Sequence, residues 1–393
     1  MNFKRTMAKA MIFSAAIAIA VQAQNWTAVG EGVGTGGSAS VDVMTTYKNV
    51  LLAAGRYQSI QQWDGTAWAD FATGSPSATA LLADGDTLYA GGQFTGGDAA
   101  KVIRMYDGTA WSTFGGGVSA YDSVAWNTNN NYSAIFKLNN VLHAVYSGSL
   151  VRWNEATHKF SKAGGGTFAG IINNKAYLIS QSIITVYDGS RRDTLDTSGY
   201  SLFQPLSAKV FNGELYLSGY FKKGPAVDPI TTYHTLVKFD GTSFSEPAAE
   251  VSVSDPEKKT ITGLFPAAGQ LLAVYVEKGA NYVGAYNGTS LSRLGDTIGT
   301  RVPNAMAVYN NEVYAGGFFS TFAGVATNNV AKIGLGSVGI RVSGKSGSRK
   351  AGFRVNDGFP ISGRAVVSDE GNLFDLAGKR VRAMTIPAES IHR

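Results

Sequence analysis

Residues 26–33 read Trp26-Thr-Ala-Val-Gly-Glu-Gly-Val33, and the phrase returns inside the chain as Trp111-Ser-Thr-Phe-Gly-Gly-Gly-Val118. The interior copy is the last strand of a repeated unit, whereas the N-terminal copy has no unit before it. An orphan last strand needs a unit to complete. The final interior unit, ending near Lys332-Ile333-Gly334, lacks such a strand, so the sequence predicts a ring in which the N-terminal strand finishes the last unit.

The clearest unit runs Ser77-Ala-Thr-Ala-Leu-Leu-Ala83, the turn Asp84-Gly85-Asp86, Thr87-Leu-Tyr-Ala-Gly91, then Val102-Ile-Arg-Met-Tyr106, Asp107-Gly108 and a strand from Trp111 to Phe114. Second strands with their turns recur at Asn49, Asp86, Asn140, Asn174, Gly213, Gly269 and Asn311, which counts seven units. Third-strand turns keep step at Asp64-Gly65, Asp107-Gly108, Asn154-Glu155, Asp188-Gly189, Asp240-Gly241, Asn287-Gly288 and Gly334, at intervals of 34 to 52 residues. That period suits propeller blades. The expected fold is all-β, a seven-bladed β-propeller of four-stranded blades over residues 24–336, closed by the N-terminal strand, with Trp26 and Trp111 as matching structural anchors.

Asp-Gly and Asn-Gly are hairpin signals because a two-residue type I′ turn needs positive φ at both central positions, so these aspartates read as turn residues rather than calcium ligands or catalysts. Gly91-Gly92 and Gly316-Gly317 are expected to admit close backbone approach near the ring axis. None opens a helix, so no phosphate-cradling loop is present.

The pattern Leu88-Tyr-Ala-Gly-Gly-Gln-Phe94, Asp107-Gly-Thr-Ala-Trp111 and Gly115-Gly-Gly-Val118 resembles the kelch and galactose-oxidase-central-domain group of β-propellers. It is closer still to bacterial and fungal cell-surface repeats of the form Tyr-x-Gly-Gly-x-Phe followed by Asp-Gly-x-x-Trp. Blades two and seven carry it well, whereas blades three, four and six have lost much of it. Blade four reads Ser190-Arg-Arg192 where the fourth-strand aromatic should follow. The resemblance implies a propeller and an extracellular setting, but it does not specify an activity, because propellers host many functions.

Forty-eight glycines, 44 aromatic residues and only 16% charged residues agree with an extracellular all-β chain. Residues 1–23 read as a secretory signal peptide, with Lys4, Arg5 and Lys9 ahead of the apolar run Ala10 to Val21 and a small-residue cleavage site at Ala23. A run of about a dozen apolar residues is short for spanning ~30 Å of hydrocarbon. The chain has no cysteine. That excludes disulfides, a thiolate nucleophile, Cys-ligated zinc and the Tyr-Cys cofactor of galactose oxidase, and no cofactor or metal is expected. The predicted ring is nearly neutral, with 21 Lys and Arg against 23 Asp and Glu, so nothing in it suggests a nucleic-acid stripe.

Residues 337–350 read as a Gly/Ser/Lys/Arg-rich linker. In residues 351–393, Phe374-Asp375-Leu-Ala-Gly378-Lys379-Arg380-Val381 resembles the Tyr-Asp-x-x-Gly-Lys/Arg-x-Val phrase of C-terminal sorting modules in exported bacterial proteins, implying a small β-fold; the ending Ile386 to Arg393 departs from their usual apolar finish.

Catalytic patterns are scarce. His143, His158, His234 and His392 fall in different units without metal-ligand spacing, and His143 occupies a second-strand aromatic position that suits the core. No Gly-x-Ser-x-Gly elbow is present. In four-stranded blades the loops joining strands two to three and four to the next blade share one face, opposite the Asp-Gly turns. Three of these loops are long, and Tyr121, Trp126, Phe221, Tyr233, His234, Phe318, Phe319 and Phe322 on them are candidates for stacking against sugars or a protein partner. The expected function is a monomeric, secreted or surface-displayed, non-catalytic binding propeller for a glycan or extracellular protein, with neither a nucleic-acid partner nor an integral membrane span. The alternatives are a carbohydrate-active enzyme with paired carboxylates in the ring mouth and a structural envelope component.

Overall fold

In a computed structural model of the chain, the described residues are 25–335 except 35–38, 58, 93–102, 117–131, 226–231, 248–250, 253–258 and 289, together with three short strands near the C-terminus. The signal-peptide and linker readings lie outside them. The chain divides into two compact units, Met1–Arg341 and Val342–Arg393. In the second, Ala365–Val367, Leu373–Asp375 and Arg380–Val381 pair as an antiparallel sheet, with Phe374 opposite Arg380.

The first unit is a seven-bladed propeller. Its antiparallel blades, each given from the inner strand outward, begin with Val41–Tyr47, Val50–Gly55, Gln61–Trp63 and Trp68–Asp70. Blade two comprises Ala80–Asp84, Thr87–Gly91, Ile103–Tyr106 and Trp111–Thr113; blade three comprises Tyr132–Leu138, Val141–Tyr146, Ser149–Asn154 and Lys159–Gly165. Blade four follows as Thr167–Ile172, Lys175–Ser180, Ile183–Tyr187 and Arg192–Thr194, and blade five as Tyr200–Phe211, Glu214–Lys223, Thr232–Phe239 and Phe244–Ser245. Blade six comprises Thr260–Ala267, Gln270–Glu277, Ala280–Tyr286 and Leu291–Leu294. Blade seven takes Ala305–Tyr309, Glu312–Gly316 and Val330–Gly334 from the end of the ring and its outer strand, Thr27–Ala28, from the beginning.

Closure has the expected register, with Thr27 opposite Lys332 and Ala28 opposite Ala331. Each inner strand packs on the next, and Ala305–Tyr309 packs on Val41–Tyr47. The core is correspondingly not one cluster but seven, one at each blade–blade interface. Second strands lie between two such interfaces and are buried along nearly their whole length, as in Val50–Gly55 and Val141–Tyr146, whereas outer strands such as Arg192–Thr194 are exposed. The N-terminal segment enters two interfaces. Trp26 packs between blades six and seven, while Val29 and Val33 pack between blades seven and one.

The turns correct one local expectation. The two-residue turns with positive φ at both positions are those between first and second strands, such as Lys48-Asn49, Asn139-Asn140 and Asn310-Asn311. The Asp-Gly sites are four-residue loops instead: Trp63 pairs with Trp68 across Asp64 to Ala67, and only Gly65 there has positive φ. The Asp64 carboxylate accepts the amide hydrogens of Thr66 and Ala67, both at 2.7 Å, satisfying donors that a type I′ turn would not leave open. The Thr109 hydroxyl with the Ala110 and Thr109 amides holds Asp107 down at about 2, and the Arg191 and Ser190 amides with the Ser190 hydroxyl hold Asp188 down at about 2. The glycine expectation holds. A Cβ on Gly91 would lie 2.6 Å from Cγ of Tyr132 in the next blade, and one on Gly316 would lie 2.5 Å from Cγ1 of Val41.

Candidate functional site

Inner strands border the ring axis, and in five blades they slip one register position, at Asp42, Ser133, Ala169, Leu206 and Thr262. Leu206 lies at the middle of Tyr200–Phe211, whereas the other four bulges lie near the strand starts, on the long-loop face. There Asp42 accepts hydrogen bonds from the Ser40 hydroxyl at 2.9 Å and the Asn304 amide at 3.1 Å, and pairs with Arg56 at 3.4 Å. Leu206 is exposed.

The same face carries a cleft of about 530 Å³ between the connection entering blade seven and the segment joining its second and third strands. Ile298, Gly299, Thr300 and Arg301 form one wall, and residues from Phe318 to Asn329 form the other. The second wall is held rigidly. Thr321–Phe322 and Val325–Ala326 pair as a small hairpin around Ala323 and Gly324, both at positive φ. Phe322 turns inward, fully buried against Trp26 (ring centroids 4.8 Å apart) and Phe319 (4.7 Å). At the hairpin base the buried Asn329 side chain accepts the Phe319 amide hydrogen at 3.2 Å and donates to the Val33 carbonyl at 3.0 Å.

Phe318 remains outside this packing, 39% exposed, with the Arg301 guanidinium 5.0 Å from its ring centroid. Val302 is 42% exposed, and its carbonyl lies beside Gly317. A guanidinium stacked on an exposed ring, next to an apolar side chain, offers hydrogen-bond donors and a hydrophobic face together. The cleft lining contains no carboxylate or histidine, and among the described residues no three His, Cys, Asp or Glu side chains group as metal ligands.

The other candidate residues are placed differently. Phe221 is fully buried within Glu214–Lys223 and packs on Phe203 at 5.2 Å; Tyr233 is buried in Thr232–Phe239 against Tyr220 at 5.0 Å; Phe319 and Phe322 are core. These four are interior side chains of extended strands or of the tucked hairpin, not stacking surfaces on loops. His234 is half-buried opposite Phe221. Tyr121 and Trp126 lie outside the described residues. Trp111 is half-buried against Tyr106 at 5.3 Å, and Trp26 is 2% exposed. Arg301 and Val302 carried no sequence signal beyond lying in a connection.

His143 is a core residue. It is fully buried, donates Nδ1–H to the Val141 carbonyl at 2.9 Å and stacks on Phe136 with centroids 5.2 Å apart. Burial, aided by the Arg152 charge and opposed by the Val141 carbonyl, lowers its pKa from 6.5 to about 4. The unfolded chain therefore binds a proton below pH 6.5 that the native state refuses until about pH 4, and stability is expected to fall across that window as pH drops. Urea midpoints measured from pH 7 to pH 4 should decline less steeply for His143→Phe; equal slopes would contradict a buried neutral imidazole.

No family model matches the chain, and no curated protein matches it. Among solved structures it is similar to the WD40 β-propeller domain of Doa1, at 12% identity and a TM-score of 0.46, over 78% of this chain and 96% of that one. It is also similar to the extracellular domain of a putative one-component system from B. thetaiotaomicron, at 13% identity and a TM-score of 0.49, over 79% of this chain; it spans only 40% of that one. Strand pairing and ring closure themselves define the class, a seven-bladed β-propeller with its outer closing strand at the N-terminus.

Proposed function

We propose that this propeller is an exported, non-catalytic binding module, secreted or displayed at the cell surface, whose long-loop face engages a glycan or an extracellular protein. The observation that carries the reading is the exposed Phe318 under the Arg301 guanidinium in a cleft of about 530 Å³. A rigid scaffold presenting a few convergent polar groups and one accessible aromatic is suited to recognition. The cleft contains hydroxyl, amide and guanidinium groups but no acid pair, which supports binding over glycoside hydrolysis. The absence of cysteine fits a fold stabilised by packing alone. The C-terminal strands belong, in this reading, to a sorting element that directs the propeller to its place of display.

The test is a glycan array probed in parallel with the mature chain and its Phe318→Ala/Arg301→Ala variant. Both side chains lie at the surface, so the variant should keep its stability within about 1 kcal/mol. Glycans retained by the mature chain should lose at least tenfold in signal with the variant. Undiminished binding would remove the cleft from the account.

A further inference from the structure

At the outer-strand position that opposes the end of the third strand, six blades place an apolar side chain: Trp68, Trp111, Phe160, Phe244, Leu291 and, by repeat, Trp26. Blade four places Arg192 there, opposite Tyr187. Its side chain lies across the outer strand of blade three at Gly164, where an added Cβ would stand 3.2 Å from Arg192 Cδ and 3.3 Å from Nη1. A larger residue at 164 would crowd it by a few tenths of an ångström. The groove so formed measures about 870 Å³, and Arg152 and Lys162 of blade three line it with Arg192. Arg152 Nε is buried without a hydrogen-bond partner, although the side chain reaches the groove. No carboxylate lines the groove. The acids nearby in sequence are engaged, Asp188 by the amides of its own turn and Asp193 by Arg191 at 2.9 Å.

We propose that the groove between blades three and four is a second binding site, separate from the long-loop cleft, for an anionic polysaccharide bearing sulfate or carboxylate groups. Three cations from two blades, with no acid among the lining residues, match repeated negative charges along a chain, and guanidinium forks pair with sulfate or carboxylate in two-pronged fashion. Ser161 and Ser190 also line the groove, where their hydroxyl oxygens can accept hydrogen bonds from sugar hydroxyls. The one ring in the lining, Tyr187, is 2% exposed, so nucleic-acid bases would find no stacking platform.

The test compares the mature chain with Arg192→Leu/Lys162→Gln, which restores the apolar repeat residue and removes two charges. An equal-charge control, Lys223→Gln/Lys278→Gln, changes the blade-five and blade-six rims instead. Binding to dextran sulfate, polygalacturonate, uncharged dextran and a single-stranded oligonucleotide is measured by calorimetry at two salt concentrations. The mature chain should bind at least one of the charged polymers and not dextran, more weakly at higher salt. The groove variant should lose about tenfold or more, and the control should change less than about twofold. The relative response to sulfate and to carboxylate identifies which anion the groove takes. Equal losses in both variants would mean attraction by net charge alone and would overturn the site, as would no binding to either polymer or tighter binding to a single-stranded oligonucleotide.

Discussion

Replacing Trp26 with alanine is expected to destabilise the propeller by about 3–5 kcal/mol, the range for removing a large buried aromatic. The side chain is 2% exposed, meets Phe322 edge-on at 4.8 Å, and donates its indole hydrogen to the Leu294 carbonyl of blade six at 3.2 Å. The loss would open a cavity at one interface and remove a hydrogen bond to a buried carbonyl at the same time. Deleting residues 24–33 goes further, because Val29 and Val33 leave the next interface and Val330–Gly334 becomes an unpaired edge. That edge should promote self-association on unfolding or before it. Thermal melts and light scattering read both effects. A deletion variant that melts with the parent and stays monomeric would contradict closure by the N-terminal strand.

Asn329→Ala is expected to cost about 2–4 kcal/mol, because it strips the partner from two buried backbone groups, the Val33 carbonyl and the Phe319 amide. Its neighbour Asn328 is exposed and donates to the Gly34 carbonyl at 2.9 Å, so Asn328→Ala should stay within about 1 kcal/mol. Denaturant midpoints for the two variants separate the cases. Equal and small losses would show that the hairpin base is held by its backbone alone.

The ring was legible because most blades repeat the same chemistry at the same offsets. Asn and Gly in the first turn supply positive φ, the acidic or Asn residue of the second turn caps its own amides, and a large apolar side chain opens the outer strand. Trp26 revealed closure because it repeats that last position without a blade of its own. The binding-face aromatics were harder to read. Phe221 was read as a loop residue, but Gly219 before it sits in a bulge at φ 154°, where a Cβ would meet the Gln204 carbonyl oxygen at 2.1 Å. The strand runs on to Lys223 and carries Phe221 into the core. Phe318, Phe319 and Phe322 are equally aromatic in sequence, yet only the hairpin around Ala323 and Gly324 decides that Phe322 points inward and Phe318 outward. Arg192 was visible as a break in the repeat; its placement over Gly164 depends on the contact between neighbouring blades, which spacing along one chain does not encode.

The most direct test of the binding account is hydrogen–deuterium exchange of the mature chain with and without the glycan that gives its strongest array signal. Slower exchange is expected at residues 298–302 and 318–321, the two walls of the cleft around Arg301 and Phe318. Protection that leaves both walls unchanged would contradict the assignment of the long-loop face as the recognition surface.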